Sequence, residues 1–212
     1  MMRVLVVNPN SSLEVTEGIA SALRPLGNIF DVVRQERGPA TIRTDEDVAT
    51  AAEAFASCIA SENADGYITA CFSDPGLDLA RARVDKPVVG AQEAAILAAC
   101  ATAERFGIIS LSERAIPRHL TRIEALGCLD KLVAELPLRD VSAADSGRDP
   151  NVYRHVLALG EELRDRGAGG IVLGCAGMAQ LAARLEGDIG VPVIDPVAAA
   201  GRLMLSKLDV SS

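Results

Sequence analysis

The chain has 212 residues, 49% of them hydrophobic, and a formal net charge of −8. This hydrophobic content is ample for a folded core and excludes a disordered protein. The negative charge and the lack of an obvious basic patch argue against nucleic acid or an anionic membrane surface as partner. The length fits one large domain or two small ones, and with only 3% aromatic residues the core must consist mainly of aliphatic side chains.

The amino terminus and the cysteines indicate the cellular compartment. The first apolar run, at residues 4–7, is too short for a signal peptide, and no segment approaches the ~18 apolar residues of a membrane span. The five cysteines are scattered, odd in number and without a Cys-x-x-Cys pair, which favours reduced thiols over a disulfide framework. We therefore expect a cytoplasmic protein.

The first half alternates short β-branched runs with helical stretches, a pattern that predicts a parallel α/β sheet. Ser11 with Glu14 forms a capping-box pair, Thr44 with Asp47 opens another helix, and Pro75 suits a first helical position. Strands are predicted at residues 3–8, 29–36, 66–70 and 87–89. Helices are predicted at residues 11–24, from Thr44, from Asp74-Pro75 and at residues 92–102.

The second half repeats the first. Strands are predicted at residues 105–110, 169–174 and 191–195, with one helix from Asp149-Pro150 to Gly167 and an alanine-rich helix at 196–208. Matching landmarks are separated by similar distances along the chain: Asn8 to Ser110 by 102 residues, Cys71 to Cys175 by 104, and Pro87 to Pro192 by 105. This regularity predicts a duplicated α/β unit. The two alanine-rich helices are each expected to cross onto the opposite half.

Four strand ends carry chemically distinctive residues. Ligands of parallel α/β sheets bind outside the carboxyl ends of the strands, so these segments would meet in one cleft if the halves face each other. Backbone N–H groups at the following helix starts would favour a carboxylate or an enolate-like oxygen. The four segments are Asn8-Pro9-Asn10-Ser11-Ser12, Cys71-Phe72-Ser73, Ser110-Leu111-Ser112 and Gly174-Cys175-Ala176-Gly177.

Cys71 and Cys175 end matching strands, which favours catalysis over an ordinary core role for this pair. A free thiol has a pKa of ~8.5, and a helix amino terminus can lower it until thiolate exists at neutral pH. A thiolate and a thiol on opposite sides of one carbon act as base and acid. Such a pair inverts a stereocentre without a cofactor.

The chain resembles the aspartate/glutamate/hydantoin racemase superfamily, most closely its hydantoin and allantoin racemase branch, over nearly its whole length. The resemblance implies cofactor-independent two-base catalysis by Cys71 and Cys175. The motifs that carry it are Val6-Val7-Asn8-Pro9-Asn10-Ser11-Ser12, Gly38-Pro39-Ala40-Thr41-Ile42, Ala70-Cys71-Phe72-Ser73-Asp74-Pro75-Gly76-Leu77, Pro87-Val88-Val89-Gly90-Ala91-Gln92-Glu93-Ala94-Ala95 and Leu173-Gly174-Cys175-Ala176-Gly177-Met178.

The resemblance implies two similar pseudo-symmetric three-layer α/β/α domains with parallel sheets and the active site in the cleft between them. We expect the first domain at residues 1–96, completed by the C-terminal helix 197–212, and the second at 97–196. The segment after Ile42, Arg43-Thr44-Asp45-Glu46-Asp47, is more charged than is usual in the family and lacks its aromatic residue.

The predicted site combines strand ends with family positions. Asn8, Ile42, Ser73 and Ser112 are pocket residues by resemblance. The complete expected substrate-binding set is Asn8, Ser11, Ile42, Phe72, Ser73, Ser110, Ser112, Gly174 and Ala176. His119 and His155 do not end strands and are predicted not to be catalytic, and no residue cluster has the spacing of metal ligands.

These features predict a racemase of cyclic ureides, such as 5-substituted hydantoins or allantoin. Rival enzymes are an acidic amino-acid racemase, a maleate isomerase and an arylmalonate decarboxylase. The first is disfavoured because Phe72-Ser73 and Ala176-Gly177 stand where such racemases usually carry a threonine, and the last because it retains only the second cysteine. A non-catalytic binding protein and a thiol redox protein are further alternatives, the latter needing Cα atoms within ~7 Å. We expect a small-molecule substrate and a homo-oligomer.

Overall fold

Two parallel sheets with the same strand order form the fold of the computed structural model, which describes residues 2–209. The first sheet has the order β2-β1-β3-β4 and the second β6-β5-β7-β8, as a duplicated unit requires. The strands of the first sheet are β1 (Val4–Asn8), β2 (Phe30–Arg34), β3 (Gly66–Thr69) and β4 (Val88–Gly90). Those of the second are β5 (Phe106–Ser110), β6 (Leu132–Pro137), β7 (Ile171–Gly174) and β8 (Val193–Ile194).

Helices cover both faces of the sheets, so the α/β class predicted from the sequence is confirmed. The helices are α1 (Leu13–Leu23), α2 (Asp45–Ser61), α3 (Leu77–Arg81), α4 (Ala91–Thr102), α5 (Ile116–Ala125), α6 (Pro150–Asp165), α7 (Ala182–Ile189) and α8 (Pro196–Lys207). The sequence pattern did not assign α5, β6 or α7. Within residues 2–209, the structure contains no helix long and apolar enough to cross a membrane.

Local helix-start signals were correct at two helices, α2 and α6, where Asp149 caps α6 as predicted, and were displaced at two others. Thr44 and Asp47 open α2 as predicted, and they do so as a capping box. At α1, however, the cap is Ser12, whose hydroxyl accepts from the Val15 N–H at 3.2 Å, so the assignment of Ser11 was wrong by one residue. Asp74-Pro75 forms a turn, and α3 begins only at Leu77, after a left-handed Gly76.

The two halves share one core in which the alanine-rich helices lie between the sheets. Helix α4 packs against α8 and also contacts β7 and β8 of the second sheet. In return, α8 contacts β3 and β4 of the first sheet, which confirms the predicted crossing. Residues 210–212 of the expected C-terminal helix lie outside the described residues, and the residue bounds of the two domains stay a prediction.

The carboxyl ends of the central strands meet at this shared boundary. In the first sheet Val7 pairs with Thr69, and in the second Ser110 pairs with Gly174. Strands β1 and β5 are completely buried. Cys71 lies in the segment that follows β3, and Cys175 begins the segment that follows β7. Both segments are therefore held at the same edge as the ends of β1 and β5.

Asp74 ties the segment after Cys71 to helix α4. Its two carboxyl oxygens accept the N–H groups of Gln92 and Glu93, each at 2.8 Å, so it caps α4 from 18 residues away. Burial raises the pKa of Asp74 to about 7, against the opposing effect of these two N–H groups. A Cβ at Gly90 would lie 2.3 Å from this carboxyl group, so only glycine fits beside the cap.

We expect Asp74→Ala to lower the free energy of unfolding by about 1–3 kcal/mol, because two buried N–H groups lose their acceptors. Urea unfolding followed by circular dichroism measures this change. Asp78→Ala is the control, because Asp78 is exposed and forms only a surface ion pair with Arg122. Equal stability of the two variants would contradict the capping role.

Candidate active site

A cavity between the two sheets collects most of the residues predicted from the sequence. Both cysteines line it, Cys71 two residues after β3 and Cys175 directly after β7. Six of the expected substrate-binding residues also form its wall: Ile42, Phe72, Ser73, Ser112, Gly174 and Ala176. The remaining wall residues are Asn10, Val15, Thr41, Ala70, Leu111, Ala115, Arg118, His119 and Ala143.

The structure does not place Asn8, Ser11 and Ser110 at the cavity wall. Asn8 is fully buried, and its amide donates to Asn10 Oδ1 and Thr16 Oγ1, both at 3.0 Å, so it shapes the loop that carries Asn10 to the wall. Ser11 lies in a separate surface groove. The Ser110 hydroxyl is buried and has no hydrogen-bond partner among the described residues.

The surroundings of Cys71 strongly favour the protonated thiol over the thiolate. Burial raises the pKa of Cys71 to about 12, and the Ser73 N–H that points at the sulfur offsets only part of this effect. The negative charge that Cys175 would carry as a thiolate raises the Cys71 pKa further, whereas Arg118 lowers it.

The Cys175 sulfur has more groups that favour its thiolate. Cys175 precedes a 3₁₀-helix at residues 176–181, and the Gly177 N–H donates to its sulfur at 3.3 Å. The Ser146 hydroxyl and the Met178 N–H also lower the Cys175 pKa, but burial outweighs them and the pKa is raised overall. The N–H groups at this helix start therefore lower the Cys175 pKa, but by less than burial raises it, and that burial was not considered in the sequence analysis.

Close backbone approach explains the glycines around Cys175. A Cβ at Gly174 would lie 2.8 Å from the Ile109 carbonyl oxygen, and one at Gly177 would lie 2.2 Å from that of Ala143. These glycines allow the segment of Cys175 to pack directly against β5 and against the loop that contains Ala143. Their packing role is therefore clear from the contacts.

Arg118 and His119 also line the cavity. The sequence pattern gave no role to Arg118, and His119 was predicted not to be catalytic. Both lie on α5, which presents its Arg118 Nε–H to the Ser73 hydroxyl at 3.0 Å. His119 Nε2 lies 3.1 Å from the same hydroxyl, and its Nδ1 lies 2.7 Å from Glu135 Oε1. His155, by contrast, is exposed on α6.

One signal in the sequence could have located this helix face. Arg114, Arg118 and Arg122 recur every four residues, which places three cations on one side of a helix in an acidic chain. Across residues 2–209, no group of three or more His, Cys, Asp or Glu side chains is arranged to hold a metal ion.

We expect iodoacetamide to alkylate both cavity cysteines slowly at pH 7, and Cys71 more slowly than Cys175. A pKa near 12 leaves roughly 10³-fold less Cys71 thiolate than a free thiol has, and only the thiolate reacts. Peptide mass spectrometry measures each rate, with glutathione as reference. The Cys71 rate should still rise at pH 10, where glutathione approaches its plateau; a plateau for Cys71 near pH 9 would contradict the raised pKa.

Comparison with known proteins agrees with this geometry. Residues 4–204 match the Asp/Glu/Hydantoin racemase family. A hydantoin racemase of Paenarthrobacter aurescens is 37% identical over 95% of this chain and 89% of its own length. An allantoin racemase from Klebsiella pneumoniae has 32% identity and a TM-score of 0.89, covering 99% of this chain and 89% of the other. A maleate isomerase from Pseudomonas putida S16 shares the fold, with a TM-score of 0.74 and 18% identity. The match covers 99% of this chain and 93% of the isomerase chain.

These homologues support racemase activity, and therefore an isomerase, for the present chain. The match of residues 4–204 spans almost all the residues that the structure describes, including both cavity cysteines. The chain belongs to the Asp/Glu/hydantoin racemase family.

Proposed function

We propose that the protein racemises cyclic ureides, namely 5-substituted hydantoins or allantoin, by proton transfer through Cys71 and Cys175. The observation that carries this proposal is the arrangement of two thiols that line one cavity from two different sheets. The similarity to hydantoin and allantoin racemases supports the substrate class.

The proposed reaction uses one sulfur as base and the other as acid. A thiolate at Cys175 removes the C5 proton, and the C–H electron pair moves onto the neighbouring carbonyl to form a planar enolate. The Cys71 S–H then delivers its proton to the opposite face, which leaves Cys175 as thiol and Cys71 as thiolate. The opposite enantiomer reacts by the same steps with the two roles exchanged.

Burial of the thiols has two opposing effects on this chemistry. It raises both pKa values, so little thiolate exists before the substrate binds. It also makes each thiolate, once formed, a stronger base toward a weakly acidic C–H bond. Mostly apolar and small side chains around the sulfurs keep water away from the enolate: Val15, Ala70, Phe72, Leu111, Ala115, Ala143 and Ala176.

Several further properties belong to the same proposal. We propose that the reaction needs no cofactor, because two thiols of matched position supply both proton transfers. We further propose that Ile42, Phe72, Ser73, Ser112, Gly174 and Ala176 contact the substrate. A homo-oligomeric state and a cytoplasmic location stay predictions.

We expect Cys71→Ser and Cys175→Ser each to lower the racemisation rate by roughly 10³-fold or more, because a serine hydroxyl is a far weaker acid and its alkoxide is inaccessible. Polarimetry on a single enantiomer of a 5-substituted hydantoin, and of allantoin, measures the rate. Cys58→Ser is the control, since Cys58 lies on α2 and does not line the cavity. Full activity in either cavity variant would exclude the two-base mechanism.

A substrate panel tests the proposed class against its rivals. The proposal predicts solvent-deuterium incorporation at C5 of hydantoins or allantoin, read by NMR. Incorporation confined to aspartate or glutamate would point instead to an acidic amino-acid racemase. If a ureide raises the melting temperature of the protein but no deuterium is incorporated, the result would favour a non-catalytic binding protein.

A further inference from the structure

Arg118 is the single Lys or Arg among the described residues that line the cavity. Its Nε–H donates to Ser73 Oγ at 3.0 Å, and its Nη1 donates to Asp45 Oδ1 and to the Arg114 carbonyl, each at 3.3 Å. The Nη2 atom is buried and has no hydrogen-bond partner among the described residues. Because a guanidinium always carries its five donors, a buried and unpaired nitrogen calls for an acceptor.

The positive charge of Arg118 is poorly neutralised by the protein. The Arg118 side chain is 19% exposed, whereas Asp45, its one carboxylate ion-pair partner among the described residues, is 95% exposed. An exposed carboxylate is screened by water and stabilises the pair only weakly. The guanidinium therefore favours negative charge that arises inside the cavity.

A chain of hydrogen bonds fixes the orientation of this guanidinium. Glu135, with a side chain 1% exposed, pairs with His119, and His119 in turn pairs with Ser73. One proton arrangement satisfies every link: the His119 Nδ1–H donates to Glu135, the Ser73 O–H donates to His119 Nε2, and the Ser73 oxygen accepts from Arg118.

The surroundings of His119 hold this chain rigid. The Phe72 ring and the imidazole pack in a T-shaped arrangement, with their centroids 5.1 Å apart. The Gln92 side chain donates to the His119 carbonyl at 3.1 Å, which ties α5 to α4. Rigid support of this kind is what a preorganised electrostatic catalyst requires.

We propose that Arg118 is a catalytic residue that donates a hydrogen bond from its guanidinium to the carbonyl oxygen on which the enolate charge develops. Ser73, His119 and Glu135 are positioning residues that orient it. This role rests on the proposed racemisation of cyclic ureides. No bond of Arg118 forms or breaks; its N–H pairs more strongly with the enolate oxygen than with the neutral carbonyl, which lowers the barrier.

Arg118→Gln tests the catalytic role directly. We expect kcat to fall by roughly 10²–10³-fold with a much smaller change in KM, because the lost hydrogen bond is strongest in the transition state. Arg122→Gln is the matched control: Arg122 lies four residues further along the same helix, pairs with the exposed Asp78 and does not line the cavity. We expect its kcat to stay within about twofold of the wild type.

The outcomes separate this role from the proposed function. If the wild type racemises the substrate and Arg118→Gln keeps a kcat within about threefold of the wild-type value, the role of Arg118 is overturned and the proposed function is not. A wild-type protein that racemises no hydantoin or allantoin would overturn the proposed function and this role together. Loss of activity in Arg118→Gln, with Arg122→Gln unaffected, would support the role.

Chemical rescue distinguishes a missing cation from a misfolded site. We expect added guanidinium ion, at millimolar concentration, to restore part of kcat in Arg118→Ala and to have no such effect on Arg122→Ala. A lack of rescue in a folded Arg118→Ala would count against direct participation.

The positioning residues have their own readout. Ser73→Ala removes the acceptor of the Arg118 Nε–H, so we expect kcat to fall roughly tenfold, with a smaller rise in KM from the lost substrate contact of Ser73. Glu135→Gln keeps an acceptor for the His119 Nδ1–H but removes the charge, so its kcat should exceed that of Glu135→Ala. Variants that change only the melting temperature, with kcat intact, would contradict the positioning role.

Discussion

The partial burial of two thiols in one cavity is the constraint on which the site depends. Cys71 and Cys175 end matching strands of two sheets with the same order, and the shared core of α4 and α8 holds those strand ends at one cavity. Desolvation raises both pKa values, most strongly for Cys71. Under the proposed mechanism, this environment lowers the amount of resting thiolate, but it makes each thiolate a stronger base and strengthens the electrostatic stabilisation of an enolate.

Charge in the cavity is organised around Arg118. The charged segment after Ile42, which departs from the usual family pattern, supplies Asp45, which forms an ion pair with this guanidinium. On its other side the guanidinium meets Ser73, which is backed by the buried pair of His119 and Glu135. Ser73, two positions after Cys71, therefore connects the segment of that cysteine to the cationic group.

The strand ends and both cavity cysteines could be predicted because their signals are local and repeated with nearly constant spacing. Contacts between residues far apart in the sequence could not be predicted in this way. Asp74 has the sequence of a helix start, yet it caps α4, whose N–H groups lie 18 residues later. His119 was discounted because it ends no strand, and only the packing of α5 against the cavity brings it to Ser73. The raised pKa values of the two thiols could not be predicted either, because burial of the sulfurs follows from the packing of both halves together.

The central claim is that two sulfurs act from opposite faces of one carbon. The most direct measurement starts from one enantiomer of a 5-substituted hydantoin in deuterium oxide. During early turnover the two enantiomers are separated, and the deuterium content of each is measured by mass spectrometry. The account predicts deuterium at C5 of the newly formed enantiomer and none in the remaining substrate, because the delivering thiol has exchanged with solvent and the abstracting one has not returned its proton. Retention of the original proton in the product, or equal deuterium in both enantiomers from the start, would contradict it.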